Sequence, residues 1–256
     1  MLRLSLLLFV AGCAASPAPA AESASRVSAA DSVRVLVFTR TAGYRHGSIP
    51  DGVRALREVG AGHGLAVDHT EDAAAFTDAG LAPYAAVAFL NTSGDVLDRP
   101  AEAALERFVR AGGGFVGVHA AADTEYDWPF YGALVGAYFE AHPAVQPAAV
   151  DVVDRGHAST RPLPARWDRT DEWYDFRAAP DGVRVLLALD EGTYEGGTMG
   201  EWHPAAWCHE RLGGRAWYTG LGHTAGAYAE PLFRAHLAGG LLYAAGLTPD
   251  TCTAAG

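Results

Sequence analysis

Apolar residues arrive along this chain in short dense runs, separated by polar gaps that carry glycine. Val33–Phe38 reads Val-Arg-Val-Leu-Val-Phe, apolar on both parities and rich in β-branched residues. That is the pattern of a strand covered on both faces. A loop with Gly43 and Gly47 follows, then a helical period over residues 50–59, with Pro50 in the first turn, where its missing N–H costs nothing. Residues 65–69 and 85–90 are the next strand candidates. Over residues 100–111, Ala104, Leu105, Phe108 and Val109 fall on one helical face, and residues 114–119 form a fourth buried strand. Strand and helix alternating at roughly 20- to 30-residue spacing predict a doubly wound parallel sheet. From about Ala148 the pattern shifts to strand runs, clearest at 183–189, 205–208 and 216–221, before a last helix over about 230–245. The expectation is one α/β domain over residues 32–248, mostly parallel and flavodoxin-like, with a strand-rich C-terminal half and a tail over 249–256.

The first residues are of another kind. Arg3 is the only charge before an apolar run over residues 4–10, far too short to span a bilayer. It reads as an export signal. Val10-Ala11-Gly12-Cys13 resembles a bacterial lipobox, in which Cys13 is acylated and becomes the first residue. Ala18-Pro19-Ala20 also fits the small-x-small rule of ordinary secretory cleavage. The expected organisation is a lipoprotein signal over 1–12 and a flexible Ala/Ser/Pro tether over 13–31. Membrane contact would come only through the lipid anchor. A soluble secreted or periplasmic protein is the alternative.

Composition narrows the function classes. Half of the 256 residues are hydrophobic, enough for a large core. The formal net charge is −11, and all 19 basic residues are arginine, with no basic cluster. Such a chain makes a poor nucleic-acid binder, because phosphate neutralisation needs a positive stripe. Three cysteines cannot build a disulfide scaffold or a four-thiolate zinc site. Cys208 and Cys252 remain open to two readings, a disulfide or a buried strand cysteine. Gly112-Gly113-Gly114 precedes its strand and lacks a following Lys-Ser/Thr, so it ends a helix and no nucleotide cofactor is expected.

In open parallel sheets, ligands bind beyond the carboxyl ends of the strands. Four segments deliver polar groups there. They are Arg40 to His46 after the first strand, Asn91 to Asp95 after the third, His119 to Thr124 after the fourth, and His223-Thr224 after a late strand. Imidazole serves both as metal ligand and as acid or base near neutral pH. His46, His119, His142 and His223, with Glu140 or Glu172, are candidate ligands for a zinc-like divalent cation with an open position. The metal-free version uses His119 or His223 as base, with Asp123 or Glu172 as partner. Tyr44, Arg45, Asn91, Trp128 and Trp207 are candidates for holding substrate. His203, Ala205, Trp207 and His209 share one strand parity, which makes Trp207 either a core aromatic or a sugar-stacking platform. His63, His69, His157 and His236 read as surface or helix residues.

Several of these stretches carry a family resemblance. Thr41 to His46, Gly112 to Ala121, Asp171-Glu172-Trp173-Tyr174, His203 to His209 and Gly214 to Thr224 resemble the ThuA-like (trehalose-utilisation) family over about residues 32–246. The resemblance implies a fold like the class I glutamine amidotransferases and an association with sugar catabolism, often beside sugar oxidoreductases. It therefore implies a small carbohydrate as partner. Two positions depart from the family's pattern. Trp202 precedes His203 where Asp is expected, and Ala158 follows His157 where Pro is expected. Any role of that Asp in relatives is not carried over. In amidotransferases the turn after a central strand carries a nucleophilic cysteine, whereas here it carries His119, so glutaminase or peptidase chemistry lacks its nucleophile. The expected function is a lyase, isomerase or hydrolase acting on an oxidised (3-keto) sugar or glycoside. The competing class is a non-catalytic carbohydrate-binding or scaffold module.

Overall fold

A computed structural model describes residues 1–2 and 32–253. Apart from residues 1–2, the export signal expected over 1–12, with Cys13 and the tether over 13–31, lies outside the described residues, as does the end of the tail. Among the described residues, five strands run parallel in the order β2 (Leu65–Thr70), β1 (Val33–Phe38), β3 (Ala86–Leu90), β4 (Gly114–Val118) and β11 (Ala216–Thr219). The same sheet continues through β10 (His203–His209), β9 (Arg184–Asp190), β6 (Gln146–Val152) and β7 (Arg166–Asp171), each antiparallel to its neighbour. A separate ribbon pairs β5 (Phe139–Ala141) with β8 (Asp175–Phe176). The parallel half has the flavodoxin-type order, with ligand sites expected at the carboxyl edge.

Helices cover both faces. Against one face lie α1 (Ile49–Gly62) and α5 (Pro231–Ala244), packed on Val35, Val37, Ala88 and Val116. Against the other lie α2 (Asp78–Leu81), α3 (Arg99–Arg110) and α4 (Pro129–Val135), packed on Phe38, Phe89 and Phe115. Helix α1 runs three residues beyond its expected end, through Gly60 and Gly62. The reason is packing: a Cβ at Gly60 would lie 2.6 Å from Val67 Cγ2, so glycine lets α1 lie close on β2. Gly112, at φ +101°, closes α3 as expected of a left-handed C-terminal residue. Among the described residues no helix is long and apolar enough to cross a membrane.

Strand β6 falls where the strand runs are expected to begin, about Ala148, whereas β7 shows no apolar run. On β7, Trp167, Arg169 and Asp171 point inward while Arg166, Asp168 and Thr170 face solvent. The strand alternates, but two of its three inward residues are charged. His157 and His236, expected as surface or helix residues, are fully enclosed. The segment around Ser159 packs against both α5 and β11: His236 Nδ1 donates to Ser159 O at 2.9 Å, and Trp217 Nε1 donates to Ser159 Oγ at 3.1 Å. The contact with α5 is close. A Cβ at Gly239 on α5 would lie 2.4 Å from the backbone of residues 158–159. Gly239→Ala should therefore lower the melting midpoint, although alanine is worth about 1 kcal/mol more than glycine in a helix interior. Overpacking of about 1–3 kcal/mol outweighs it, and a raised midpoint would contradict this packing.

Cys208 and Cys252 form a disulfide, with Cα atoms 5.6 Å apart across 44 residues of sequence. The tail is held by side chains as well. Asp250 accepts from the Ala158 amide at 3.0 Å, and Arg184 donates to Thr251 O at 2.7 Å.

Candidate functional site

The chain delivers its chemistry where β1, β3, β4 and β11 end. Directly after β4, His119 adopts φ +50° and opens a 3-10 turn, His119–Asp123. Left-handed backbone costs a non-glycine residue about 1–2 kcal/mol, and such residues concentrate at functional sites. His119 Nδ1 donates to Gly220 O at 2.8 Å. A carbonyl has no hydrogen to give, so Nδ1 carries a proton and the bond turns Nε2 into the site. Asn91, ending the adjacent β3, also has φ +50°.

Four segments meet around that nitrogen. His46 comes from the loop after β1, Glu172 from the end of β7 and His223 from the end of β11. One donor atom from each of these and from His119 falls within 4.8 Å of the others. Glu172 Oε2 lies 3.3 Å from His119 Nε2 and 3.0 Å from His223 Nδ1. The His46 ring stands nearly perpendicular to those of His119 and His223, at 4.9 and 5.0 Å. Its loop is pinned from β3: the Ala42 and Gly43 amides donate to Ser93 O, and Ser93 Oγ donates to Tyr44 O at 2.6 Å.

Charge states follow from burial and neighbours. Desolvation, reinforced by His119 and His223, pushes His46 down to about 3, so it is neutral at physiological pH. Its Nδ1 is buried with no hydrogen-bond partner among the described residues. Burial alone would raise Glu172, but hydrogen bonds from His119 and His223 offset it and hold the carboxyl well below its usual range. The same hydrogen bond raises His223 against its own burial. A carboxylate with three imidazoles, one of them neutral and unpartnered, is a donor set that suits a zinc-like cation.

The remaining candidates take varied places. His142 lies outside the group of four but touches it: Nδ1 is 3.1 Å from Glu172 Oε1 and 2.9 Å from Pro143 O, with the side chain 41% exposed. Tyr44 is 66% exposed, its ring edge-on to His46 at 4.8 Å. Asp123 is half-buried, raised by that burial, and accepts from Tyr126 OH at 2.7 Å. Arg45 points away, paired with Glu71 at 2.7 Å. Asn91 is fully buried and holds the loops, donating to Ser48 Oγ at 3.1 Å. Trp128 packs on Phe130 and lines a neighbouring groove of about 580 Å3 with Tyr126 and Glu125.

Trp207 is core. It stacks on Tyr218 at 4.4 Å and donates to Val135 O, so no face is open to a sugar. Glu140 is exposed and paired with Arg177, apart from the cluster. His203 is clasped by Glu191, Tyr194 and the Tyr174 carbonyl, all within 3.0 Å. Cys208, being in the disulfide, offers no thiol. A cavity of about 730 Å3 between Tyr84, Phe108 and Arg215 opens at the opposite edge, where strands begin. The described residues bring no grouping of three possible metal ligands together there. The chemistry, not the volume, locates the site.

One contributor escapes the sequence. Arg169, buried beneath α5, lies 3.0 Å from Asp171, whose carboxylate accepts from the amides of Glu172, Gly222 and His223. The signal was the parity shared by Trp167, Arg169 and Asp171.

The sequence model of the ThuA family, described as trehalose utilisation, matches residues 34–244. A thua-like protein from Bacteroides uniformis ATCC 8492 is 23% identical with a TM-score of 0.72, over 83% of this chain and 91% of that one. A second, from Parabacteroides merdae ATCC 43184, is 19% identical with a TM-score of 0.70, over 87% and 97%. PurLQS from Thermotoga maritima is 12% identical with a TM-score of 0.51, over 84% and 97%. At such identities the structures show a shared fold alone. No curated protein matches the chain significantly.

Proposed function

The chain belongs to the ThuA (trehalose-utilisation) family, and from that premise we propose that it acts chemically on a carbohydrate, with a divalent cation held by His46, His119, Glu172 and His223. The convergence of these four groups within 4.8 Å carries the reading. A zinc-like cation bound there supplies Lewis-acid polarisation of a carbonyl oxygen. The substrate is an oxidised, 3-keto sugar or glycoside, in which the carbonyl acidifies the neighbouring C–H. His142 takes that proton: its Nδ1 is committed to Glu172 Oε1 and Pro143 O, which leaves Nε2 as the acceptor. The electron pair of the broken C–H bond passes into the enolate. Returning the proton to the former carbonyl carbon, while the proton of the adjacent hydroxyl passes to the enolate oxygen, moves the carbonyl by one carbon and isomerises the sugar. Expelling a substituent one carbon further, with a proton for its oxygen, eliminates it instead. Asp123, raised by burial, is the second proton carrier. Tyr44 offers its exposed ring to the apolar face of the sugar.

We place the protein outside the cytoplasm, tethered through acylated Cys13. The Cys208–Cys252 disulfide supports an oxidising compartment.

The test pairs metal content with proton exchange. After zinc or manganese loading and gel filtration, elemental analysis should find about one ion per chain. With 3-keto-trehalose in D2O, NMR should show deuterium entering beside the carbonyl. Absence of both the ion and the exchange would overturn the reading and leave a sugar-binding module without chemistry.

A further inference from the structure

Glu172 and His223 leave the sheet from distant strands. β7 is the edge strand, and four strand steps separate it from β11, about 19 Å in a flat sheet. Yet Glu172 Oε2 lies 3.0 Å from His223 Nδ1. The sheet ladder alone does not set this distance.

One fully buried carboxylate spans the gap. Asp171 Oδ1 accepts from the Glu172 and His223 amides, each at 3.1 Å, and Oδ2 accepts from the Gly222 amide at 2.9 Å. Arg169 Nη2 ion-pairs with the same carboxylate without a hydrogen bond, 3.0 Å from Oδ2 and 3.3 Å from Glu230 Oε2 at the start of α5. The guanidinium is sandwiched between Trp167 and Phe233, at 4.6 and 4.8 Å, so it has little room to swing away. Gly222 has φ +111°, and a Cβ there would meet Tyr228 Oη at 2.8 Å, so the turn into His223 is fixed on its other side as well.

We propose that Asp171 and Arg169 are positioning residues which lock Glu172 and His223 into one site and thereby set its affinity for a cation. This rests on the cation reading above. Neither residue meets the cation or the substrate. Groups that orient metal ligands typically govern affinity by about 10- to 100-fold.

Asp171→Asn conserves shape and tests the lock. Zinc affinity, measured by competition with a chromogenic chelator, should fall by about 10- to 100-fold, and the visible spectrum of the cobalt-loaded protein should change. Asp168→Asn, on the exposed face of the same strand, should alter neither. In metal-free protein, amide hydrogen exchange should quicken at Glu172, Gly222 and His223 while the β4 amides hold. Should Asp171→Asn fail to fold, Arg169→Lys and Arg169→Met replace it: lysine keeps the charge and should retain zinc better than methionine. Unchanged zinc affinity and unchanged local protection in Asp171→Asn would overturn the proposal. So would equal zinc affinity in the two Arg169 variants. If the wild type binds neither metal, the cation reading falls by itself. Exchange then decides: selective loosening sustains the lock, and uniform or absent change ends it.

Discussion

Between pH 6.5 and pH 4.5 the folded chain should lose several kcal/mol of stability. Four buried imidazoles are held neutral by desolvation: His46 and His236 are pushed down to about 3, His157 and His209 to about 4. In the unfolded chain each takes a proton near its ordinary value of about 6.5. The folded state therefore refuses protons that the unfolded state accepts. Stability is complete above pH 6.5 and drains as pH falls toward 4. Each group costs about 1.4 kcal/mol per pH unit once well below 6.5, and four acting together approach the whole stability of an ordinary domain, about 5–15 kcal/mol. His223 works the other way, since its raised value contributes stability at low pH that is lost on passing upward through it. Glu125, raised to about 7 by burial, and Asp123, raised likewise, also add stability as pH falls and offset part of the loss from the four histidines. Glu172, lowered, weakens the fold only below the usual carboxylate range. Urea midpoints from pH 7 to pH 4 would read the slope. A flat profile above pH 4.5 would mean that these histidines are not buried as described.

His119→Asn should abolish cation retention and lower turnover by about 10²- to 10³-fold, the usual worth of a group that stabilises a developing oxyanion, with little change in fold. Asparagine is the informative replacement because it tolerates the left-handed backbone at φ +50°, where alanine adds strain. It is too short to place a donor at the position of Nε2. His63→Asn, at the end of α1, serves as the control and should leave both readouts intact. Full activity in His119→Asn would remove the cluster from the mechanism. Wild-type zinc retention without turnover would keep the site and remove the carbohydrate chemistry.

The parallel half was legible because its strands are apolar on both parities and its helices carry one-sided faces; β1 falls on the residues expected. The antiparallel half was harder. β7 hides its alternation behind Arg169 and Asp171, charges that satisfy one another only once folded. The histidines at strand ends stood out as polar groups after apolar runs, which brought His46, His119 and His223 forward together. Their separation from Trp207 was not visible. Strand parity gives a side, and what covers that side here is α4, through the Val135 carbonyl. His142 looked equivalent to the other three, and only three-dimensional placement sets it on the outer oxygen of Glu172.

The disulfide reaches further than its immediate surroundings. Residues 209–251, the stretch it encloses, include β11, His223 and all of α5. A protease that cuts once anywhere in that stretch cannot release a fragment, because both pieces stay joined through sulfur. Nicked protein would run as one band without reductant and as two with it. A molecule working among extracellular proteases would in this way keep its late histidine attached after the backbone is broken.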